Sequence, residues 1–275
     1  MKTNVAKNAE PSKSRKFFMH LWNETKNFFN PKEWLKTLRS IPPLALTLAT
    51  LATVLMNILA NKSIIELPWL IQDAGICLSW IGFLVGDIVV KAFGSKNAIR
   101  MNLTALFISL VVSVLLVGVS VIPGHWSVEF NYMNSMGEFT EISKEVGKSM
   151  NAVIGNVWYV ILGSAAASAI GLICNGISQG LILNKIEKKH GDHYWGFLAA
   201  STSSTIIGQL IDNITFAMLV SVKFFGWTWK QVIVCSITGA VVELICEIIF
   251  TPLTYKIGKN WEKNKIGVKY MEASK

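Results

Sequence analysis

The chain has 275 residues, of which 52% are hydrophobic and 16% charged, with a net charge of +9. Soluble domains carry nearer a quarter charged residues, so this composition excludes an ordinary water-soluble enzyme and points to the bilayer. The excess of Lys and Arg falls where membrane topology would put it, and it calls for no nucleic-acid partner.

Residues 1–13 are rich in Lys, Asn and Ser and are expected to be disordered. From Phe17 onward, Phe17, Phe18, Leu21, Trp22, Phe28, Phe29, Trp34, Leu35 and Leu38 interleave with basic residues. That pattern predicts amphipathic helices on the inner leaflet, broken at Pro31. Six apolar runs follow, near residues 41–60, 69–93, 103–122, 152–184, 197–223 and 232–255. Each is long enough to cross roughly 30 Å of hydrocarbon. The expectation is an all-α integral membrane protein with six transmembrane helices. It divides into a cytoplasmic basic segment (1–38), a transmembrane domain (39–257) and a basic tail (258–275). Because the first forty residues are polar and the first apolar run is of spanning length, no cleavable signal is expected.

The third and fourth runs are joined by the long connection 123–150, which carries Glu129, Glu138, Glu141 and Glu145. Its second half, GEFTEISKEVGKSMNAVIGN, reads as helix extending the fourth span outward. Of the 26 Lys and Arg residues, all but Lys62, Lys144, Lys148, Lys223 and Lys230 lie in the N-terminal segment, the second and fourth connections, and the tail. Positive residues stay inside, so both termini are expected in the cytoplasm, with the chain in the cell (inner or plasma) membrane.

Polar residues inside the spans sort by helical face. Ser201, Thr205, Gly208, Gln209, Asp212 and Phe216 make one stripe, Glu243, Glu247 and Thr251 a second, and Ser168, Gly171, Asn175 and Gln179 a third. Intramembrane carboxyls cost several kcal/mol, commonly about 2.5–3.5, and such residues face the bundle interior. The three stripes are therefore expected to converge on one substrate site. Gln209 and Asp212 offer an amide and a carboxylate about one turn apart, and a carboxylate accepts two parallel bonds from a planar N–H pair. Trp80, Phe83, Trp158 and Phe216 could stack on a flat heterocycle, though an amine or cation would suit the same residues. Glu243 and Glu247, one turn apart in low dielectric, oppose double ionisation, so one is expected to hold a proton or to meet a cationic ligand.

Asp87 and Lys91 stand i, i+4 with the acid first and are read as a structural pair or a cytoplasmic gate. Asp73 lies close enough to the outer interface to be solvated. Ala45, Ala49, Ala52 and Met56 form a small-residue face suited to close packing within the bundle. Cys77, Cys174, Cys235 and Cys246 lie inside the runs without CxxC spacing, so neither a disulfide nor a metal site is expected. His190, Asp192 and His193 read as a solvated loop. No HExxH motif occurs and all four histidines lie outside the spans, so no enzyme and no cofactor are expected.

The stretches SWIGFLVGDIVVKAFGSKNAIR (79–100), STSSTIIGQLIDNITF (201–216) and EIIFTPLTYKI (247–257) resemble the queuosine-precursor transporter family, also called the vitamin uptake transporter family. The resemblance runs from about residue 42 to 255. It implies a fold similar to the substrate-binding components of vitamin importers, and transport of deazaguanine precursors of queuosine. Carried over by position, the motif residues are Phe83, Leu84, Asp87, Lys91, Phe93 and Gly94, then Gln209, Asp212 and Phe216, then Glu247, Thr251, Pro252 and Tyr255. The chain departs from the family pattern at Glu243, where many members have Lys, and at 176–179 (GISQ), which lacks a frequent acid. An arginine common before the Ser-rich start of the fifth run is also missing.

The implied activity is import of a small planar heterocycle, with the lipid bilayer as the other partner. The alternatives are a substrate-binding subunit of an ATP-driven importer, docking an energising module through Ala45 and Ala49, and a structural membrane protein. Homo-oligomerisation stays open.

Overall fold

A computed structural model describes residues 28–272. The expectations for residues 1–13 and for the amphipathic stretch 17–27 lie outside the described residues. Helix α1 (Pro31–Ser40) starts at Asn30, whose side chain accepts the Lys32 N–H at 3.0 Å, with Pro31 where a missing N–H costs nothing. Its exposed Leu35 lies opposite anchors to the bundle: Trp34 Nε1 donates to Thr104 at 2.8 Å, and Thr37 donates to Asn97 at 2.7 Å. At Pro42 the chain turns by 106° into α2 (Pro43–Leu59).

The expected second span begins later than its apolar run. Residues 63–73 form an antiparallel hairpin, β1 (Ser63–Leu67) and β2 (Leu70–Asp73), and α3 (Ile76–Phe93) starts only after Gly75. Pro68 sits at the hairpin turn, and the Asp73 carboxylate accepts the Gly75 N–H at 2.8 Å, a side-chain turn that ends the strand. The hairpin is tied to the last long helix: Ile71 N–H donates to Cys235 Sγ at 3.2 Å and Gln72 Nε2 to the Cys235 carbonyl at 3.0 Å.

Helix α4 (Ser95–Val121) leads through a 3₁₀ turn, Ser127–Tyr132, to α5 (Glu141–His190). At 50 residues α5 is far longer than a bilayer requires, and it projects beyond it as the GEFTEISKEV pattern implies. Its projecting part is braced by buried Glu129, which accepts Trp126 N–H at 2.7 Å and pairs with His125 at 2.8 Å. Those bonds, the His125 contact first, hold the Glu129 carboxyl below its ordinary range. Helix α6 (Tyr194–Phe216) continues through a π turn, Ala217–Ser221, and a last α turn, Val222–Phe225. Helix α7 (Trp229–Lys263) and the short α8 (Val268–Glu272) complete the described chain.

Helices α3 to α7 are each long and apolar enough to cross a membrane, and the bent α1–α2 pair makes up to six crossings. The all-α expectation holds, with one small hairpin added. Large apolar side chains such as Leu44, Leu51, Val114, Leu115, Ile249 and Leu253 point outward, as lipid requires. Ala45 and Ala49 pack against Val85, Val89, Ala98 and Met101. That buried face is unavailable to dock an energising module, which corrects the alternative reading built on it.

Candidate functional site

Helices α5 and α6 approach closely at two glycines. A Cβ on Gly171 would lie 2.7 Å from Asp212 Cβ and 2.9 Å from the Gly208 carbonyl, and one on Gly208 would lie 2.8 Å from Asn175 Cβ. This contact brings the α5 and α6 stripes face to face. Because α7 packs on both α6 and α3, polar residues from four helices share the bundle axis.

They form three layers. The first is a cavity of about 90 Å³ at the hairpin end, lined by residues of α2, the hairpin, α3, α5, α6 and α7. Asp73, Asp212 and Glu243 bring three carboxyls to it, and none of its lining residues is Lys, Arg or His. Asp212 accepts from Ser168 at 3.2 Å, Ser79 donates to Glu243, and Asn213 Nδ2 donates to the Ser236 carbonyl at 3.3 Å. Burial pushes the Asp73 carboxyl up to about 6, against the opposing pull of backbone N–H groups. Among the described residues Glu243 Oε2 and Ser236 Oγ find no partner. Buried polar atoms are seldom left so, and here they face a space that a ligand or water can enter.

Below this chamber lies a sealed polar seam. Asp87 and Ser201 are each 0% exposed and Glu247 is 1% exposed. Ser201 Oγ contacts a carboxylate oxygen of both Asp87 and Glu247. Asn175 and Gln179 of α5 and Thr205 and Gln209 of α6 are also buried, each with at least one side-chain atom lacking a partner among the described residues.

The third layer is a lysine lock. Lys91 Nζ lies 2.9 Å from Asp192, 3.3 Å from Glu187 and 3.7 Å from Glu262, its side chain 1% exposed. The Tyr255 hydroxyl donates to Asp192 at 3.4 Å, and Lys259 stands 3.5 Å from the same acid. Partial burial pushes the Asp192 carboxyl up, but the Lys91 hydrogen bond and the charges of Lys91 and Lys259 outweigh it and hold the group below its ordinary value.

The expected site residues therefore divide. Asp212, Phe216 and Glu243 line the chamber, whereas Gln209, Glu247, Asn175 and Gln179 lie outside its lining, in the seam. Gln209 and Asp212 do not present one amide–carboxylate edge. Residues three apart differ by about 60° around a helix, and Gln209 is 1% exposed and off the chamber lining while Asp212 is in it.

The i, i+4 pair of Asp87 and Lys91 does not form either. Asp87 turns to Ser201, while Lys91 reaches acids on α7, on α5 and in the loop after it. Asp192, expected in a merely solvated loop, is the nearest of these partners. Among the described residues no His, Cys, Asp and Glu group could hold a metal ion.

Of the four aromatics expected to stack, only Phe216 lines the chamber; Trp80 stacks on Phe250 at 4.7 Å, Phe83 is core, and Trp158 is exposed. The sequence reading missed Asn57, Gln72, Ser79, Ser164, Asn213, Ser236 and Trp227 as lining residues, and Asp73 is lining rather than solvated. An acid beside the start of a span was a signal for Asp73, whereas nothing local marks Trp227.

Membrane-length helices around a polar chamber that is closed at its far end have the build of a multi-pass transporter. The family profile described as "Putative vitamin uptake transporter" matches residues 73–257. The chain belongs to the vitamin uptake transporter family. Searches of curated proteins and of solved structures give no match.

Proposed function

We propose that this chain imports a small planar heterocycle rich in N–H donors, a deazaguanine precursor of queuosine or a vitamin-like compound, across the cell membrane. The Lys and Arg distribution supports both termini in the cytoplasm, and with that orientation the chamber opens outward and the Lys91 lock closes the inner end. The observation that carries the reading is the chamber's charge. Three carboxyls from three elements meet there without a basic residue in the lining, so the ligand itself supplies donors or positive charge. Phe216 and Trp227 offer ring faces to a flat body. The exposed, lipid-facing belt and the buried Ala45/Ala49 face favour a chain that works without an energising subunit.

The test is a thermal-shift screen of the purified chain against deazaguanines with and without an aminomethyl group, nucleobases and vitamins. A ligand at about 100 times its Kd stabilises the folded state by about 2.7 kcal/mol. Aminomethyl-bearing deazaguanines are expected to raise the unfolding midpoint most. No shift with any planar heterocycle would refute the reading.

A further inference from the structure

Between the chamber and the lock, two carboxyls share one hydroxyl. Asp87 on α3 and Glu247 on α7 each bring an oxygen to Ser201 Oγ of α6, and all three side chains are sealed from solvent. A serine hydroxyl has one hydrogen to give. If both carboxyls were ionised, one would face an oxygen lone pair across that contact. Their outer oxygens, Asp87 Oδ1 and Glu247 Oε2, have no hydrogen-bond partner within 3.5 Å among the described residues.

The groups around them do not resolve this. Asn175 of α5 and Thr205 of α6 stand beside the pair, and the buried Gln209 Nε2 and Thr205 Oγ1 lack partners of their own. The other acid beside the pair is Glu243, one turn from Glu247, and it brings no positive charge to either carboxyl. Lys91, one turn along α3 from Asp87, is committed to Asp192, Glu187 and Glu262.

A proton on one carboxyl resolves it. The protonated group donates to Ser201 Oγ, and Ser201 donates to the other, giving an unbroken chain of carboxylic acid, hydroxyl and carboxylate. We propose that Asp87, Ser201 and Glu247 form a proton-binding site, holding at least one proton between the two acids, with Glu243 linking it to the chamber. Glu243 lines the chamber and stands one helical turn above Glu247, so a proton can pass between open water and the seam without crossing the Lys91 lock. This goes beyond the substrate reading and does not depend on which heterocycle is carried.

The test is infrared spectroscopy of the full-length chain in lipid at neutral pH, reading the carbonyl stretch of protonated carboxyls. Wild type is expected to show this band, to shift it on transfer to D2O, and to lose at least one carboxyl's intensity in the double variant Asp87→Asn with Glu247→Gln. Ser201→Ala keeps the charge and nearly the volume, and it is expected to move the band by removing the shared hydroxyl. This second variant keeps the proposal testable if the double variant does not fold. A double variant with the full wild-type band, or a Ser201→Ala band identical to wild type, overturns the proposal.

Discussion

Removing the positive charge from the lock by Lys91→Gln isolates the energetics of the closure at that end of the bundle. At an effective dielectric of about 20, an ion pair at the 2.9 Å Lys91–Asp192 distance attracts with about 6 kcal/mol before any cost is counted. Most of that is cancelled. The ammonium is sealed and loses its hydration, the three acids repel one another, and each acid is about a third exposed, so water screens it. A net loss of about 1–3 kcal/mol follows, less than for a fully buried pair. At about 2–4 °C for each kcal/mol, the unfolding midpoint falls by about 2–12 °C. Thermal unfolding of the purified chain, followed by tryptophan fluorescence, reads this directly.

A double-mutant cycle with Asp192→Asn separates the pair from its surroundings and should return a coupling of about 1 kcal/mol or more. The pH dependence has a fixed sign. Asp192 is held below its ordinary value of 3.8, so its stabilisation is complete above that value and is lost as pH falls through the lowered one. The share of the gap between wild type and Lys91→Gln that Asp192 carries is therefore constant from about pH 8 to about pH 5 and narrows only below about pH 4. Zero coupling, or a gap that closes above about pH 6, would refute the ion-pair account.

Asp212→Asn and Glu243→Gln, which remove chamber charge while keeping side-chain size, are expected to fold and to lose at least about tenfold in affinity for an aminomethyl deazaguanine, as charge-assisted bonds become neutral ones; unchanged titrations by thermal shift would count against the chamber. Asp73, pushed from 3.8 to about 6, binds its proton more tightly folded than unfolded, so its contribution is fully present below 3.8 and is lost as pH rises to about 6. Asp73→Asn removes that loss, so the variant should unfold at a higher temperature than wild type near pH 8, by at most about 3 kcal/mol, and match it near pH 4; equal midpoints at both would refute the burial argument. Gly171→Ala sets a methyl 2.7 Å from Asp212 Cβ, forces α5 and α6 apart, and should cost about 1–3 kcal/mol in thermal unfolding.

The membrane fold was legible because lipid imposes one demand, a long apolar helix, that a run of residues displays locally. The hairpin was hidden for the same reason: Leu70 and Ile71 are as apolar as the helix that follows, and only Pro68 and Gly75 mark the break. Polar faces were legible from helical period alone, but which end of the bundle each residue serves was not. Gln209 and Asp212 sit three apart, yet only Asp212 lines the chamber while Gln209 is sealed outside it, a split that helical spacing alone does not predict. Lys91 lies four residues from Asp87, yet its partners lie 96, 101 and 171 positions away, and a local pairing rule cannot see them.

The order of the three layers has a physical logic of its own. Acids without a basic partner face the open chamber, where a cationic or donor-rich ligand can complete them. Lys91, the buried cation of the lock, is already completed by the protein, so it closes rather than binds. Between them, Asp87 and Glu247 come from different helices and meet at a hydroxyl from a third. Sliding any of these helices breaks that junction and strands two carboxyls in low dielectric, unless each carries a proton. On the proposed reading, opening the Lys91 end would require both releasing Lys91 from its acids and settling the charge of the seam.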